Sequence, residues 1–132
     1  MVCVKFVEFK KKVKIKFVVD ENRYMIAKLG EVPKFSQGIF SIIKDKNEIT
    51  AIAREGTDLR SVSEEKFFRL ITFNVVLPFG LSGFLSYISN LLSREDIPIF
   101  VVSSYSTDHI FVKEEHLDRA LGILKENEIL QA

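Results

Sequence analysis

The second half of the chain shows the most regular pattern of hydrophobic and polar positions. The apolar residues of segment 67–77 predict a long, largely buried strand that ends at Pro78. The apolar positions that follow are spaced i, i+3, i+4, i+7, i+10 and i+11, which predicts an amphipathic helix. One stripe of that helix carries Leu81, Phe84, Leu85, Ile88, Leu91 and Leu92.

Two further strands and a helix complete this half. Residues 97–102 form an apolar strand, and residues 107–113 are predicted to return antiparallel to it after a turn at 103–106. The last helix should end at a left-handed Asn127, and its apolar stripe carries Leu117, Ala120, Leu121 and Leu124. Because strand–helix–strand crossovers are right-handed, both helices should cover one face of the sheet. The other face then needs cover from the first half of the chain or from a second copy.

The first half is less regular, and its pattern predicts strands around one short helix. Alternation at residues 2–6 and 13–19 predicts two strands. Residues 24–29 and 48–54 predict two more, and Ser36 is placed to cap a helix over residues 38–44. Five lysines lie between these two strands or on the second of them: Lys10, Lys11, Lys12, Lys14 and Lys16. They form either a patch that binds nucleic acid or a strand face exposed to solvent.

A polar stretch at residues 55–65 is the one boundary that the sequence offers. It divides the chain into an N-terminal unit, residues 1–62, and a C-terminal unit, residues 63–132. The stretch is too short and too mixed in composition for a flexible linker. We therefore expect the two units to pack against each other.

Composition and charge narrow the class of protein. The chain has 132 residues, of which 47% are hydrophobic and 28% charged, and this suits a globular protein that needs no metal or disulfide to fold. A net charge of +1 gives no general attraction to nucleic acid or anionic lipid. The single cysteine, Cys3, excludes an internal disulfide framework and suits a reducing compartment. Lysines interrupt the N-terminal apolar residues, and no apolar run approaches ~20 residues, so we expect a cytoplasmic protein without a signal peptide or membrane partner.

Two stretches of the second half resemble a known family. They read Leu-Pro-Phe-Gly-Leu-Ser-Gly-Phe-Leu-Ser at 77–86 and Ile-Pro-Ile-Phe-Val-Val-Ser-Ser-Tyr-Ser-Thr-Asp-His-Ile-Phe-Val-Lys at 97–113. This resembles the ACT-domain proteins related to the CASTOR arginine sensors. In that group a glycine-containing loop opens the first helix, and a Ser-Tyr-x-Thr-Asp turn joins the second and third strands. A weaker likeness extends to residues 23–29 and 47–50.

The resemblance implies an α+β fold of the ferredoxin-like type. Two ACT-like units (βαββαβ) would stand in tandem, with helices on one face of an antiparallel sheet. It also implies a non-catalytic regulatory or sensor module that binds a small molecule, usually an amino acid. Such a protein is expected to form a homodimer.

The residues themselves offer a chemistry for such a ligand. Segment 80–83 precedes a helix, whose first-turn N–H groups lack intrahelical acceptors and suit a carboxylate. Asp108 and the carbonyl groups of Ser103 and Ser104 could receive an ammonium group. The predicted ligand-binding residues are therefore Gly80, Leu81, Ser82, Gly83, Val102, Ser103, Ser104, Thr107 and Asp108.

Plainer explanations compete with this site. Ser82 could be an ordinary N-cap, and Asp108 could hold an Asx turn in the hairpin. No catalytic residue, cofactor or metal site is predicted, since no metal-ligand spacing is present and Phe84 replaces the last glycine of a G-x-S-x-G elbow. The alternative function is a structural or protein-interaction module with an empty site. A nucleic-acid-binding protein is less favoured, because the glycine loop joins a strand to a helix and carries no basic residue.

Overall fold

A computed structural model describes residues 4–132 of the chain. The first part of the predicted N-terminal strand, with Cys3, lies outside the described residues. Residues 4–132 form nine strands and three α-helices. The strands are β1 (Val4–Lys5), β2 (Lys16–Leu29), β3 (Ile39–Lys44), β4 (Ile49–Arg54), β5 (Ser61–Phe73), β6 (Leu81–Ser82), β7 (Phe100–Ser103), β8 (Asp108–Lys113) and β9 (Leu130–Gln131). The helices are α1 (Phe6–Lys12), α2 (Phe84–Ser93) and α3 (Leu117–Glu126), the last preceded by a 3₁₀ turn at Glu114–His116.

One mainly antiparallel sheet organises the molecule. Six strands follow the order β3-β4-β2-β5-β8-β7, and β9 pairs in parallel with the start of β2. The long strands β2 and β5 pair with each other, from Phe17 opposite Phe73 to Leu29 opposite Ser61. A separate two-stranded pair joins β1 to β6 in parallel.

The helices cover one face of this sheet and bury the main core there. The alternating strand residues Phe17, Ile71, Phe73 and Ile110 meet the apolar stripes of α2 and α3. The two stripes follow the predicted spacing, and their fully buried members include Ile88, Leu92, Ala120 and Leu124. The predicted strand–helix–strand order and the placement of the helices on one face are confirmed by this core.

The other face is partly closed by the sheet itself. Phe40 of β3 lies four strands from Phe111 of β8, which would separate them by roughly 19 Å in a flat sheet. Their ring centroids are only 5.4 Å apart. Register shifts in β2 mark bulges that bend the strand and allow this curl. This face was predicted to be covered by the first half of the chain or by a second copy. The first half covers part of it, through Tyr24, Phe40 and Ile52.

Three predictions for the first half are wrong. The two strands expected at 13–19 and 24–29 form one continuous strand, β2. Residues 6–12, expected to be strand and turn, form α1, because Phe6, Phe9 and Val13 recur at helical spacing and the first two of them pack on the core. Residues 39–44, expected to be a helix, form β3 and pair with β4. Three β-branched isoleucines favour that extended conformation. The first half is thus three paired strands where strand–helix–strand was expected.

The end of α3 also differs in detail. Asn127 follows the helix but has a negative φ of −104°, and the left-handed residue is Glu128, with φ of 64°. The Asn127 side chain instead donates a hydrogen bond to the carbonyl oxygen of Ile123 at 2.8 Å. Among residues 4–132, no helix is long and apolar enough to cross a membrane.

Candidate functional site

The two predicted loops meet at one cavity. It has a volume of about 250 Å³ and lies between the start of α2 and the hairpin that joins β7 to β8. Six of the nine predicted ligand-binding residues line it: Leu81, Gly83, Ser103, Ser104, Thr107 and Asp108. Two segments separated in sequence, residues 77–86 and 103–108, therefore form one concave surface.

The other three predicted residues do not line the cavity. Gly80 and Ser82 belong to the loop and to β6, and β6 pairs with β1. Val102 lies opposite His109 in the β7–β8 register and packs with the Phe111 cluster on the face away from the helices. Successive strand residues point to opposite faces, so Val102 and Ser103 cannot both face the cavity.

The start of α2 was predicted one turn too early. Gly83 is the N-cap and has φ of 97°, a left-handed conformation in which an L side chain is strained, and Ser82 makes no capping hydrogen bond. The N–H of Leu81 donates to the carbonyl oxygen of Pro78 at 2.9 Å. The amides of 80–83 are therefore not the group of free donors that the sequence suggested.

The donors at this helix start come from the next three residues. Phe84, Leu85 and Ser86 form the first turn of α2 and line the cavity. First-turn N–H groups have no intrahelical acceptor and lie at the positive end of the helix dipole. No acidic side chain of α2 occupies that turn. Sequence analysis missed these residues because Leu81 fits the apolar stripe and made the helix seem to start earlier.

The hairpin forms the opposite wall and is held by its own hydrogen bonds. Ser103 Oγ donates to Asp108 Oδ1 at 2.5 Å. The N–H and Oγ of Ser104 both donate to the carbonyl oxygen of Thr107, at 2.8 and 3.1 Å. Asp108 takes part in this network through the Ser103 hydroxyl, which holds its carboxylate at the edge of the cavity.

Asp108 carries the charge of this site. Of the residues from 4 to 132 that line the cavity, it is the one charged side chain. It forms no salt bridge with any residue in that range, and its hydrogen-bond donor is the neutral Ser103 hydroxyl. A carboxylate without a protein cation can pair with a cationic group of a ligand.

His109 connects the hairpin to the sheet. Its Nδ1 lies 2.9 Å from Thr72 Oγ1, and its Nε2 lies 3.0 Å from Ser104 Oγ. The Ser104 hydroxyl proton is directed to Thr107, so Ser104 accepts from Nε2–H and Nδ1 accepts from Thr72. Burial lowers the pKa of His109, because the charged ring loses hydration, and the nearby Asp108 charge opposes that shift. The neutral ring is thus the form that this arrangement accommodates.

Two aromatic residues that sequence analysis did not select complete the rim. Phe79 stands on the loop before β6, and Tyr105 stands at the tip of the hairpin. Both line the cavity, and their rings meet edge to face with centroids 4.9 Å apart. Within residues 4–132, no three His, Cys, Asp or Glu side chains lie together as a metal site would need.

The comparisons with known proteins place both walls in one segment. Residues 63–126, just under half of the chain, match the family model of the ACT domain. The match begins within β5 and ends with α3, so it includes every predicted ligand-binding residue. No curated protein matches the chain.

Three solved structures share the fold over nearly their whole length. A protein from Agobacterium tumefaciens is 21% identical, with a TM-score of 0.79, over 91% of this chain and 93% of that one. A Vibrio cholerae protein of unknown function is 22% identical, with a TM-score of 0.70, over 86% and 89%. The ligand-free regulatory subunit of aspartate kinase from Thermus thermophilus is 10% identical, with a TM-score of 0.55, over 83% and 94%. At these identities the likeness is one of fold, and the segment that carries the candidate site, residues 63–126, is the part of the chain that matches the ACT-domain family model.

Proposed function

We propose that the chain is a regulatory module that binds a free amino acid in the cavity between α2 and the β7–β8 hairpin. The observation that carries the proposal is the shared cavity itself, with donor groups on one wall and an unpaired carboxylate on the other. An α-amino acid carries the complementary groups, a carboxylate and an ammonium group. The ACT domain at residues 63–126 and the fold shared with an aspartate kinase regulatory subunit support the same function.

Each pole of the ligand has a partner in this proposal. The carboxylate accepts hydrogen bonds from the first-turn amides of Phe84, Leu85 and Ser86, where the helix dipole favours negative charge. The ammonium group pairs with Asp108 and with the carbonyl oxygens of Ser103 and Ser104. Ser103 holds the Asp108 carboxylate in place, so little conformational freedom is lost when the ligand binds.

A ligand screen tests the proposal directly. Each free amino acid is added to the full chain, and the melting temperature and calorimetric Kd are measured. A ligand at 100 times its Kd should stabilise the fold by about 2.7 kcal/mol. The amide of the best ligand, which lacks the carboxylate, and its N-acetyl form, which lacks the ammonium charge, should each bind at least ~10-fold more weakly.

The Asp108→Asn variant tests the cationic pole. It removes one charge and keeps the shape, so we expect a loss of about 10-fold to 100-fold in affinity. Asp58→Asn is the matched control, because Asp58 is exposed in the loop between β4 and β5, outside the cavity. Equal affinity in the wild type and Asp108→Asn would place the ligand elsewhere. Failure of every amino acid to bind would favour the structural or protein-interaction module with an empty site.

The proposal includes a homodimer in the cytoplasm and an arrangement of two ACT-like units related to the CASTOR group. The homodimer is supported by half-buried apolar residues on the face away from the helices, among them Phe68, Phe100 and Val102. One of these, Phe100, belongs to the edge strand β7. Sedimentation over a wide concentration range, with and without ligand, tests the dimer. Ligand-linked association would show that binding and assembly are coupled. The division at residues 62 and 63 stays a prediction.

A further inference from the structure

Phe79 and Tyr105 are unusually exposed for side chains that line a cavity. Their exposed fractions are 67% and 82%, yet the two rings contact each other at 4.9 Å with an interplanar angle of 88°. Each ring comes from a different wall of the cavity. Aromatic rings that bridge two loops at a rim can move with those loops, because little of the core holds them.

The lining of the cavity is divided by chemistry. Its polar groups are the Asp108 carboxylate, the hairpin hydroxyls and Ser86. Its apolar groups cluster on the loop that enters α2 and on the helix itself, and they include Leu77, Pro78, Leu81, Phe84 and Leu85. A ligand that satisfied the polar groups with its ammonium and carboxylate would therefore place its side chain against the apolar side.

The charges of the site restrict that side chain further. Asp108 is the one charged residue among the described residues of the lining, and in the proposed binding mode it is already paired with the ligand's ammonium group. A lysine, arginine or glutamate side chain would find no counter-charge and would lose hydration on entry. The volume of about 250 Å³ is below the range of drug-sized pockets and suits a ligand as small as one amino acid.

We propose that the ligand is an amino acid with an apolar side chain, aliphatic or aromatic, and that Phe79 and Tyr105 close over it as an aromatic clasp. This inference rests on the proposed function and specifies the ligand class for that site. When the clasp closes, the ligand's side chain and the rings of Phe79 and Tyr105 bury apolar surface against one another, which stabilises the complex. It also ties the loop before β6 to the hairpin when the ligand is present.

Calorimetry with a small panel of amino acids tests the ligand class. L-Leucine and L-phenylalanine represent apolar side chains, L-serine a small polar one, and L-lysine and L-glutamate charged ones. We expect leucine or phenylalanine to bind at least ~10-fold more tightly than the other three. Tightest binding of lysine or glutamate would overturn the inference and leave the amino-acid site standing. No binding by any of the five, or by the remaining amino acids, would overturn the proposed function as well.

Two substitutions test the clasp. Phe79→Ser and Tyr105→Ser should each weaken binding of the apolar ligand by ~10-fold or more and change serine binding little. Phe35→Ser is the matched control, because Phe35 is 73% exposed and lies outside the cavity. All three residues are exposed, so the variants should fold. Equal affinity for the apolar ligand in wild type, Phe79→Ser and Tyr105→Ser would overturn the clasp.

Fluorescence can detect the closure of the Phe79–Tyr105 clasp directly. The chain contains no tryptophan, so the Tyr105→Trp variant places a single indole at the hairpin tip. We expect its emission to shift to shorter wavelength when leucine or phenylalanine binds, because the ring leaves water. An unchanged spectrum at saturating ligand, with binding confirmed by calorimetry, would contradict closure.

Discussion

The two walls of the cavity are held in place in different ways. The hairpin wall is fixed by neighbours in sequence, since Ser103, Ser104, Thr107 and Asp108 bond to one another within six residues. The opposite wall, residues 77–86, and the segment that leads into it depend on distant partners. Asn74 N–H donates to the carbonyl oxygen of Lys16 at 2.7 Å, and Leu77 N–H donates to that of Ser106 at 2.7 Å.

The second wall also depends on the N-terminal segment. Strand β6 pairs with β1, and Phe6 of α1 packs on Phe84 and Tyr87, with ring centroids 5.4 and 5.1 Å apart. One wall is thus preorganised by local hydrogen bonds, and the other takes its shape from elements far away in the chain. Changes outside the cavity should therefore affect the α2 wall much more than the hairpin wall.

The largest expected effect is that of Phe6→Ala. Phe6 is 5% exposed and joins α1 to α2, so its truncation should lower the free energy of unfolding by about 3 kcal/mol. Hydrogen exchange at the amides of β6 should accelerate, while the hairpin amide of Ser104 should stay protected. Val7→Ala is the control, since Val7 is 67% exposed and should change stability by less than about 0.5 kcal/mol. Equal loss of protection in both walls would contradict the comparison.

The Gly83→Ala substitution should cause the second-largest loss of stability. A residue with a side chain at φ of 97° is strained, and the added Cβ would lie 3.4 Å from Phe6 Cβ. We expect a loss of about 2 kcal/mol, measured by urea denaturation, and weaker ligand binding because the first-turn amides shift. The same substitution at Gly122, inside α3 with free space around it, should stabilise the protein by up to about 1 kcal/mol. Similar changes at both glycines would contradict the strain argument.

Ser104→Ala should have a smaller effect, confined to the hairpin. It removes the hydroxyl that bridges the Thr107 carbonyl oxygen and His109 Nε2, at a cost of about 1 kcal/mol. Exchange should increase at the hairpin and remain unchanged at β6. Ser89→Ala is the control, because the Ser89 hydroxyl bonds only to the carbonyl oxygen of Ser86 on the exposed face of α2. If Ser89→Ala lost as much stability as Ser104→Ala, the bridging hydroxyl of Ser104 would have no special role in the hairpin.

The smallest expected effect is a pH dependence of the hairpin wall. Burial lowers the pKa of His109 below its ordinary value of 6.5, so the unfolded chain binds a proton before the folded chain does. The stabilising contribution of the neutral ring is complete above that value and decreases as the pH falls below it. Between about pH 7.5 and about pH 5.5 the wild type should lose more stability than His109→Gln, measured as the difference in urea midpoints. Parallel losses in the two proteins would rule out His109 as the cause.

The difference between the walls also explains what sequence could predict. The hairpin was predicted because its determinants are local: small polar residues between two apolar runs. The apolar stripes of α2 and α3 were equally clear, and their buried residues follow them. The start of α2 was misplaced because Leu81 continues the apolar stripe of the helix, whereas the helix begins only after Gly83, whose φ is 97°.

The first half shows the same limit. Alternation in residues 2–6 favoured a strand, although Phe6, Phe9 and Val13 already carried a helical spacing that could have shown α1. The isoleucines of β3 have strand propensity, but the Ser36 cap signal outweighed it in the prediction. The curl that brings Phe40 to Phe111 depends on bulges in β2, which no local pattern indicates. Phe79 and Tyr105 were passed over because exposed aromatic residues in loops are visible as a pair only in three dimensions.

The pairing of β2 with β5 has a practical consequence for protein engineering. These two strands join the halves of the sheet, and the loop between β4 and β5 offers a break point at residues 55–60. Fragments cut there would each carry an unsatisfied strand edge and should aggregate or stay unfolded alone. When the two fragments are refolded together, they should restore the hydrogen bonds between β2 and β5. Because a ligand stabilises the assembled form, the pair could serve as a split reporter for that ligand.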